Sequence, residues 1–501
     1  MFRLLRHALC LVLIFAGSAA AARDARWIGP LVETDSSRIF APVVLPGTPE
    51  DAAMRKAGYV QEEYLIEGDG FSWAENADGS VAKTSPPTGY VTRLVIVRPR
   101  DPARFNGVVQ LGFNHPQFAH GNWQRIDALV LRSGMAYAML MIGGDPGTRK
   151  ASTEQWPVSS PLLFKWYDPA RYAAFNWPSD DLRWDAIGQA AALLRGTGKG
   201  GPLKGLNVRR IYMSGWSYLG SIQRSFIEYG FHDRYRRKDG GPLIDGYLIG
   251  ISAGAVSAGH VPLNTGGPGR DRRKDLLPVI DSPVIELTSE MEAITNVHAM
   301  RGESDAAKGG HRIYELGGTS HRDSGIDGQN DPSRLQLAAR GHPGIELEPV
   351  CSVGYSDVPM RDVAQAALAN MHGWVESGKA PPRAARMAAA PDGNDFVRDR
   401  FGNPVGGIRT AQLDVPLVRY GAAPASLCGG KEPRRKLSRL SLIDGMLAAT
   451  YPGGKRAYLA RFDARLAQLV KQGWLLAPDA AAQRQRARKF ADEAFGATGK
   501  R

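Results

Sequence analysis

The stretch VRRIYMSGWSYLGSIQRSFIEYG, residues 208–230, joins a strand-like run to a helix-like run through a serine. Residues 208–215 have the composition of a strand, and the apolar side chains that follow recur at helical spacing: Leu219, Ile222, Phe226 and Tyr229. Ser217 lies at the junction, with Gly215 and Gly220 around it in a GxSxxG pattern. Glycines permit close approach of backbone, and a helix N-terminus favours developing negative charge. We therefore predict Ser217 as a nucleophile.

A second serine fits the GxSxG pattern more closely. The stretch IGISAGAVSAG, residues 249–259, contains Ser252 at the end of another strand-like run. The residues that follow, 253–273, are too rich in glycine and proline for a packed helix. Ser252 would then lack the helix N-terminus that a nucleophile of this kind uses. We expect it to end the strand beside that of Ser217, with small residues after it so that the loop can pass near the site.

A serine nucleophile needs a base and an acid that orients the base. His321 follows the strand-like run HRIYELGG, residues 311–318, in a loop from which an imidazole can reach over the sheet edge. The acid is expected at the end of the preceding strand, where Glu292 is preferred and Glu290 is the alternative. Asp281 or another acid stays open.

The oxyanion formed in acyl transfer needs two preorganised donors. One is expected to be the backbone N–H of Tyr218, directly after the nucleophile. The other is expected from the loop after the strand-like run at 108–113, at the N–H of Asn114 or of its neighbour His115. Asn114 could instead be an ordinary turn residue.

Strand-like and helix-like runs alternate along the chain, which predicts a mostly parallel sheet with helices on both faces. The expected strands are 92–99, 108–113, 136–144, 208–215, 243–252, 283–290 and 311–318, and the expected helices are 125–134, 180–196, 221–230, 362–378, 456–476 and 478–496. We predict one catalytic domain over 23–378, with irregular β structure before residue 89 and a lid-like insert at 145–179. Residues 379–501 are expected to form a C-terminal extension packed on this domain.

The first 22 residues combine two arginines, an apolar run and small residues, as a signal peptide does. We therefore expect an exported protein, periplasmic or extracellular, without a transmembrane segment after removal of the signal; an uncleaved anchor is the alternative. Cys351 and Cys428 can close a disulfide in an oxidising compartment or remain two buried thiols. The net charge of +13 comes from basic residues spread along the chain, so we expect a solvated basic surface and no nucleic-acid partner.

Five stretches carry a likeness to a known family: RPRDPARFNG (98–107), GWSYLG (215–220), SEME (289–292), YELGGTSH (314–321) and FGNPVGGIRTAQLDVPLVRYG (401–421). From about Gly89 to the C-terminus the chain resembles exported bacterial α/β-hydrolase-domain proteins. The resemblance implies an α/β-hydrolase fold and a family in which GxSxxG is the form of the nucleophile turn.

These residues together predict an exported serine hydrolase that uses a Ser217–His321–Glu292 triad. A carboxylic ester, small or polymeric, is the expected substrate, and no metal or organic cofactor is expected. A peptidase or amidase on the same fold is one alternative, because acyl transfer to water uses the same groups. A non-catalytic envelope binding protein that keeps the fold is the other. The sequence predicts no oligomeric state.

Overall fold

The computed structural model describes residues 22–115, 121–143, 161–196, 200–252, 261–264, 276–296, 300–321, 332–342, 356–393, 395–423 and 436–497. Outside the described residues lie positions 1–21 of the expected signal peptide, 145–160 of the expected insert, Cys351 and Cys428. Among the helices in these ranges, none is long and apolar enough to cross a lipid bilayer.

The strands are β1 (Arg26–Ile28), β2 (Tyr59–Gly70), β3 (Trp73–Glu75), β4 (Val81–Lys83), β5 (Thr88–Pro99), β6 (Val108–Phe113), β7 (Ala136–Leu140), β8 (Arg210–Trp216), β9 (Gly246–Gly250), β10 (Val284–Ser289), β11 (His311–Leu316), β12 (Val418–Ala423) and β13 (Lys436–Leu442). The helices are α1 (Pro49–Lys56), α2 (Trp123–Ser133), α3 (Pro161–Tyr167), α4 (Arg183–Arg195), α5 (Tyr218–Glu228), α6 (Phe231–Arg234), α7 (Glu290–Asn296), α8 (Pro332–Ala339), α9 (Met360–Ser377), α10 (Ala411–Asp414), α11 (Asp444–Thr450), α12 (Gly454–Lys471) and α13 (Ala477–Ala497).

Within the described ranges, nine strands form one sheet in the order β1-β2-β5-β7-β6-β8-β9-β10-β11. From β7 to β11 in this order each strand is parallel to its neighbour, whereas β1, β2 and β5 add an antiparallel edge. Every residue of β6, β10 and β11 is buried, as expected for parallel strands covered on both faces.

Helices cover both faces of this sheet. Apolar residues of α4 and α5, among them Trp184 and Phe226, belong to the core on one face. Apolar residues of α2 and α9, among them Ile126 and Leu368, belong to the core on the other face. The prediction of a mostly parallel sheet between two helical layers is confirmed.

The N-terminal part is more regular than the sequence suggests. β2 pairs with β5 along its whole length, from Tyr59 opposite Pro99 to Gly70 opposite Thr88. Within β2, Glu63 is buried, pairs with Arg93 of β5 and lies 2.7 Å from Arg171. A charged residue inside the strand breaks the apolar pattern, and its partners are far away in the chain. For that reason the sequence pattern indicates irregular β structure over residues that in fact form the long strand β2.

The C-terminal residues have an apolar core of their own that joins α10 to α13. This part lies against the sheet domain through apolar contacts, such as that of Trp474 with Tyr314, and through polar contacts. Asp479 of α13 pairs with Arg132 of α2 at 2.9 Å, and the Asn370 side chain of α9 donates to the Gly473 carbonyl at 3.0 Å. The helices expected at 456–476 and 478–496 correspond to α12 and α13.

A buried ionic network ties α5 to the sheet. Glu286 of β10 accepts a hydrogen bond of 2.6 Å from Arg224 of α5 and contacts the His311 ring at 2.9 Å. Burial disfavours the charged form of Glu286, but Arg224 and His311 outweigh that effect and lower its pKa to about 2. This network therefore stabilises the helix that begins at the predicted nucleophile.

Replacing Glu286 by glutamine should destabilise the protein in a pH-dependent way. Because the pKa falls from an ordinary 4.5 to about 2, the ionised carboxylate stabilises the folded state above pH 4.5, and this stabilisation is lost as the pH falls toward 2. We expect a loss of about 3 kcal/mol near neutral pH that narrows on acidification. Urea unfolding between about pH 3 and pH 7 measures it. The exposed Glu493→Gln supplies the control, and an equal loss at every pH would contradict the expectation.

Candidate active site

Four parallel strands bring the candidate residues to one edge of the sheet. β8, β9, β10 and β11 are neighbours in this order. Ser217, Ser252, Glu292 and His321 each follow the carboxyl end of one of these strands. In open α/β sheets, ligands bind outside the carboxyl ends of the strands.

The backbone at Ser217 is unusual for a residue with a side chain. Its φ is +56° and its ψ is −124°, in a region that costs about 1–3 kcal/mol for residues other than glycine. β8 ends directly before it and α5 begins directly after it. Its N–H donates to the Gly250 carbonyl at 2.9 Å, and its own carbonyl accepts from the Ser221 N–H at 2.9 Å. The chain thus turns sharply at Ser217 between a strand and a helix.

Both glycines of the GxSxxG pattern are required by close packing at this turn. A Cβ on Gly215 would lie 2.6 Å from the Leu219 carbonyl oxygen. A Cβ on Gly220 would lie 2.8 Å from the Gly250 carbonyl oxygen and 2.7 Å from the Ser252 hydroxyl. These contacts are too short for any larger residue without a shift of backbone. The extra residue in the pattern is therefore compatible with a tight strand-to-helix turn.

Ser252 is placed differently from Ser217. β9 pairs in parallel with β8, so Ser252 does follow the strand next to that of Ser217. The residue is 6% exposed, and its hydroxyl lies against the first turn of α5 beside Gly220. Within the described part of the chain this hydroxyl has no hydrogen-bond partner. Residues 253–260, which follow it, lie outside the described residues.

The structure brings His321 and Glu292 into contact. The Nδ1 atom of His321 lies 2.6 Å from Oε1 of Glu292. The imidazole is 38% exposed, whereas the carboxylate is 9% exposed. Ser289 donates its hydroxyl to the other oxygen of Glu292 and accepts the Glu292 N–H at 3.3 Å. A carboxylate bound at Nδ1 leaves Nε2 of the ring to exchange protons elsewhere.

The two other acids considered from the sequence have different partners. Glu290 accepts hydrogen bonds from Arg398 and from the Gly318 N–H, each at 2.6 Å. Burial raises the pKa of Glu290, and Arg398 opposes this effect. Asp281 contacts the ring of His232 at 2.8 Å. The geometry therefore favours Glu292 as the acid that orients His321.

The predicted oxyanion donors lie on both sides of the turn. Tyr218 is the first residue of α5, and the N–H groups of a first helical turn have no acceptor inside the helix. The Asn114 N–H, in contrast, donates to the Leu140 carbonyl at 2.9 Å and continues the β6–β7 pairing. The rings of His115 and Tyr218 are in edge-to-face contact, with centroids 5.6 Å apart. Of the two donors left open after β6, the N–H of Asn114 is therefore already used in the sheet, and His115 stays the other candidate.

Arg183 belongs to this site although the sequence did not single it out. Its guanidinium donates to the Tyr218 hydroxyl at 2.7 Å and pairs with Asp180 at 2.7 Å. The Trp177 indole also donates to Asp180, at 2.9 Å. This network fixes the Tyr218 ring from the end of the expected insert. The sequence does contain a signal for Arg183, because it is an arginine on the apolar face of the helix expected at 180–196.

One cluster among the described residues could hold a metal ion by its composition: His232, Asp233 and Asp281. Its groups are already engaged, because Arg236 pairs with both carboxylates. The His232 ring contacts Asp281 through Nε2 and the Tyr247 hydroxyl through Nδ1, each at 2.8 Å. This cluster is therefore explained as an ionic network at the protein surface in which only His232 is buried.

Solved structures similar to this chain have low sequence identities and low TM-scores. A predicted dienelactone hydrolase from Klebsiella pneumoniae is 15% identical with a TM-score of 0.29, covering 55% of this chain and 96% of that one. A hyperthermophilic esterase from Pyrobaculum calidifontis is 14% identical with a TM-score of 0.27, covering 58% and 88%. An esterase from Rhizomucor miehei is 14% identical with a TM-score of 0.24, covering 48% and 70%. At these values none carries an argument about the activity of this chain.

Curated proteins contain no match to this sequence. The model of one protein family, described as an alpha/beta hydrolase domain, matches residues 27–485. This match covers most of the chain, and the parallel sheet with its strand-to-helix turn at Ser217 is consistent with it. The chain therefore belongs to this alpha/beta hydrolase domain family.

Proposed function

We propose that this protein is an exported serine hydrolase that cleaves carboxylic esters through Ser217, His321 and Glu292. The observation that carries the proposal is the backbone conformation of Ser217. This residue has a positive φ and lies between the end of a strand and the start of a helix. Such strain persists only where the surrounding structure enforces it, and it is common at active sites. The contact between His321 and Glu292 at the same sheet edge supports the proposal. Export rests on the composition of residues 1–22.

In the proposed reaction, the Ser217 hydroxyl attacks the ester carbonyl carbon and its proton passes to Nε2 of His321. Glu292 holds the ring by Nδ1 and stabilises the imidazolium that forms. The backbone N–H groups of Tyr218 and His115 stabilise the oxyanion. The imidazolium then protonates the ester oxygen of the alcohol part as its bond to the carbonyl carbon breaks, the alcohol leaves, and an acyl ester remains on Ser217. Water, deprotonated by His321, attacks this ester. The bond to the Ser217 oxygen breaks, the imidazolium returns the proton to that oxygen, and the acid is released.

A fluorophosphonate probe tests the nucleophile directly, because it phosphonylates activated serines. After trypsin digestion, Ser217 lies in the peptide 211–224 and Ser252 in the peptide 239–270. We expect the label in the first peptide, and fragment spectra should assign it to Ser217. Heat-denatured protein is the control and should not react. A label on the second peptide, or none on folded protein, would overturn the assignment.

Matched substrates distinguish the ester hydrolase from its alternatives. We expect hydrolysis of p-nitrophenyl esters whose acyl chains have two to twelve carbons, with one chain length preferred. The p-nitroanilide of the preferred acyl group should react far more slowly. Comparable rates on the anilide would favour an amidase or peptidase. A folded protein that neither hydrolyses these compounds nor reacts with the probe would favour a binding protein that keeps the fold.

A further inference from the structure

We propose that Arg398 is a positioning residue, which acts through Glu290 to hold the turn carrying His321 against the turn carrying Glu292. This inference rests on the proposed function. It assigns a role in the reaction to a residue far from the nucleophile in the chain.

The turn after β11 is bound to the start of α7 by backbone and side-chain hydrogen bonds. Gly318 donates its N–H to Oε2 of Glu290 at 2.6 Å. Thr319 accepts the Glu290 N–H at its hydroxyl and the Met291 N–H at its carbonyl, each at 3.3 Å. His321 lies on the turn after β11, and Glu292 lies at the start of α7. The distance between base and acid therefore depends on how these two turns are held together.

Arg398 completes this arrangement from the C-terminal side. Its Nη1 donates to Oε1 of Glu290 at 2.6 Å, while its Nη2 donates to Asp395 at 2.6 Å. The Glu290 side chain is only 3% exposed. A carboxylate this buried is retained as an ion when a cation is paired with it, and removal of the cation leaves an uncompensated charge. Without Arg398, Glu290 would take up a proton or turn toward water, and its bond to Gly318 would weaken.

The segment that carries Arg398 has attachments of its own. We call residues 386–393 and 395–408 the C-terminal strap. Arg386 pairs with Glu315 of β11 at 2.7 Å, the Met387 N–H donates to the same carboxylate at 2.6 Å, and the Ile408 N–H donates to the Glu315 carbonyl at 2.6 Å. Loss of Arg398 should therefore leave the strap in place. Its effect should be local to the two turns.

The back of the histidine turn is closely packed. Gly318 has a φ of +73°, and a Cβ there would lie 2.7 Å from the Leu413 side chain and 3.1 Å from Val358. The Gly318 carbonyl also accepts the Ser356 hydroxyl at 2.6 Å. The turn is thus held on one side by apolar packing and on the other by its hydrogen bond to Glu290. Arg398 acts on the second of these contacts, because it pairs with Glu290.

The test measures kcat and KM on a p-nitrophenyl ester for the full chain and its variants. We expect Arg398→Ala to lower kcat by about 10- to 100-fold with little change in KM, because a small displacement of catalytic groups has effects of this size. Arg398→Lys should restore much of the loss, since an ammonium can still pair with Glu290. Arg400→Ala is the matched control, because Arg400 lies on the same strap and contacts the Phe401 ring at 4.6 Å. Its kcat should equal that of the unmodified protein.

Fluorophosphonate titration gives the number of competent sites, so that kcat is expressed per folded site. An unchanged kcat per site in Arg398→Ala, or an equal loss in Arg400→Ala, would overturn the proposal. If Arg398→Ala does not fold, Glu290→Gln takes its place, and an unchanged kcat there would equally overturn it. An unmodified protein that neither reacts with the probe nor hydrolyses the ester would remove the proposed function itself. An active unmodified protein with a fully active Arg398→Ala would remove this inference alone.

Discussion

Replacing Ser217 by alanine is expected to abolish ester hydrolysis, with kcat falling by about 10⁴- to 10⁶-fold. The hydroxyl is the atom that forms the acyl-enzyme in the proposed reaction, and Ser217 directly follows the end of β8. The fold should persist, because alanine removes only one oxygen. Initial rates on the preferred p-nitrophenyl ester, with circular dichroism for the fold, measure the effect.

Ser252→Ala is the matched control for this prediction. Its hydroxyl is buried beside Gly220 and lies at the end of the neighbouring strand. We expect the variant to keep the activity and the fluorophosphonate labelling of the unmodified protein. A loss of activity in Ser252→Ala together with an active Ser217→Ala would reverse the assignment of the nucleophile.

The second large effect is expected from Glu292→Gln, with kcat falling by about 10³- to 10⁴-fold. A carboxylate at Nδ1 keeps the proton on that nitrogen and leaves Nε2 able to accept one. An amide at the same place can donate to Nδ1, which stabilises the wrong tautomer of His321. It also removes the negative charge that stabilises the imidazolium.

Two other acids serve as comparisons for Glu292→Gln. Asp281→Asn should retain full activity, because Asp281 pairs with Arg236 and His232. Glu290→Gln should lose less than Glu292→Gln, since Glu290 binds the Gly318 N–H of the turn, whereas Glu292 contacts the imidazole itself. An Asp281→Asn variant as impaired as Glu292→Gln would contradict this assignment of the acid.

Much of the central sheet is predictable because its strands are short, apolar and separated by glycine or by amphipathic helices. The expected strand at 108–113 coincides with β6, and the expected helix at 362–378 lies within two residues of α9. The helix α1 was not predicted, although its signals are present. Thr48 accepts the Asp51 N–H as an N-cap, Pro49 is at the first position, and Arg55 lies in the last turn.

The antiparallel edge and the short helix α7 were harder to predict. β2 and β5 pair although they are separated in the chain. Glu63 interrupts the apolar pattern of β2 because it pairs with Arg93 and Arg171. α7 begins at Glu290 directly after β10, whereas the sequence predicts the end of a strand at this residue. Local propensity is a weak guide where pairing or a turn is decided by distant residues.

The sequence by itself determined the alternation of strands and helices, the position of Ser217 at a strand-to-helix junction and the chain order of the candidate residues Ser217, Glu292 and His321. These features follow from local patterns of apolar residues and glycines. Only the tertiary structure distinguishes Glu292 from Glu290 as candidates for the acid, because Glu290 pairs with Arg398, 108 residues away in the chain. It likewise showed that the N–H of Asn114 is used in the sheet. Two neighbouring carboxylates look alike in a sequence, and their roles differ because each role depends on the partner that folding brings to it.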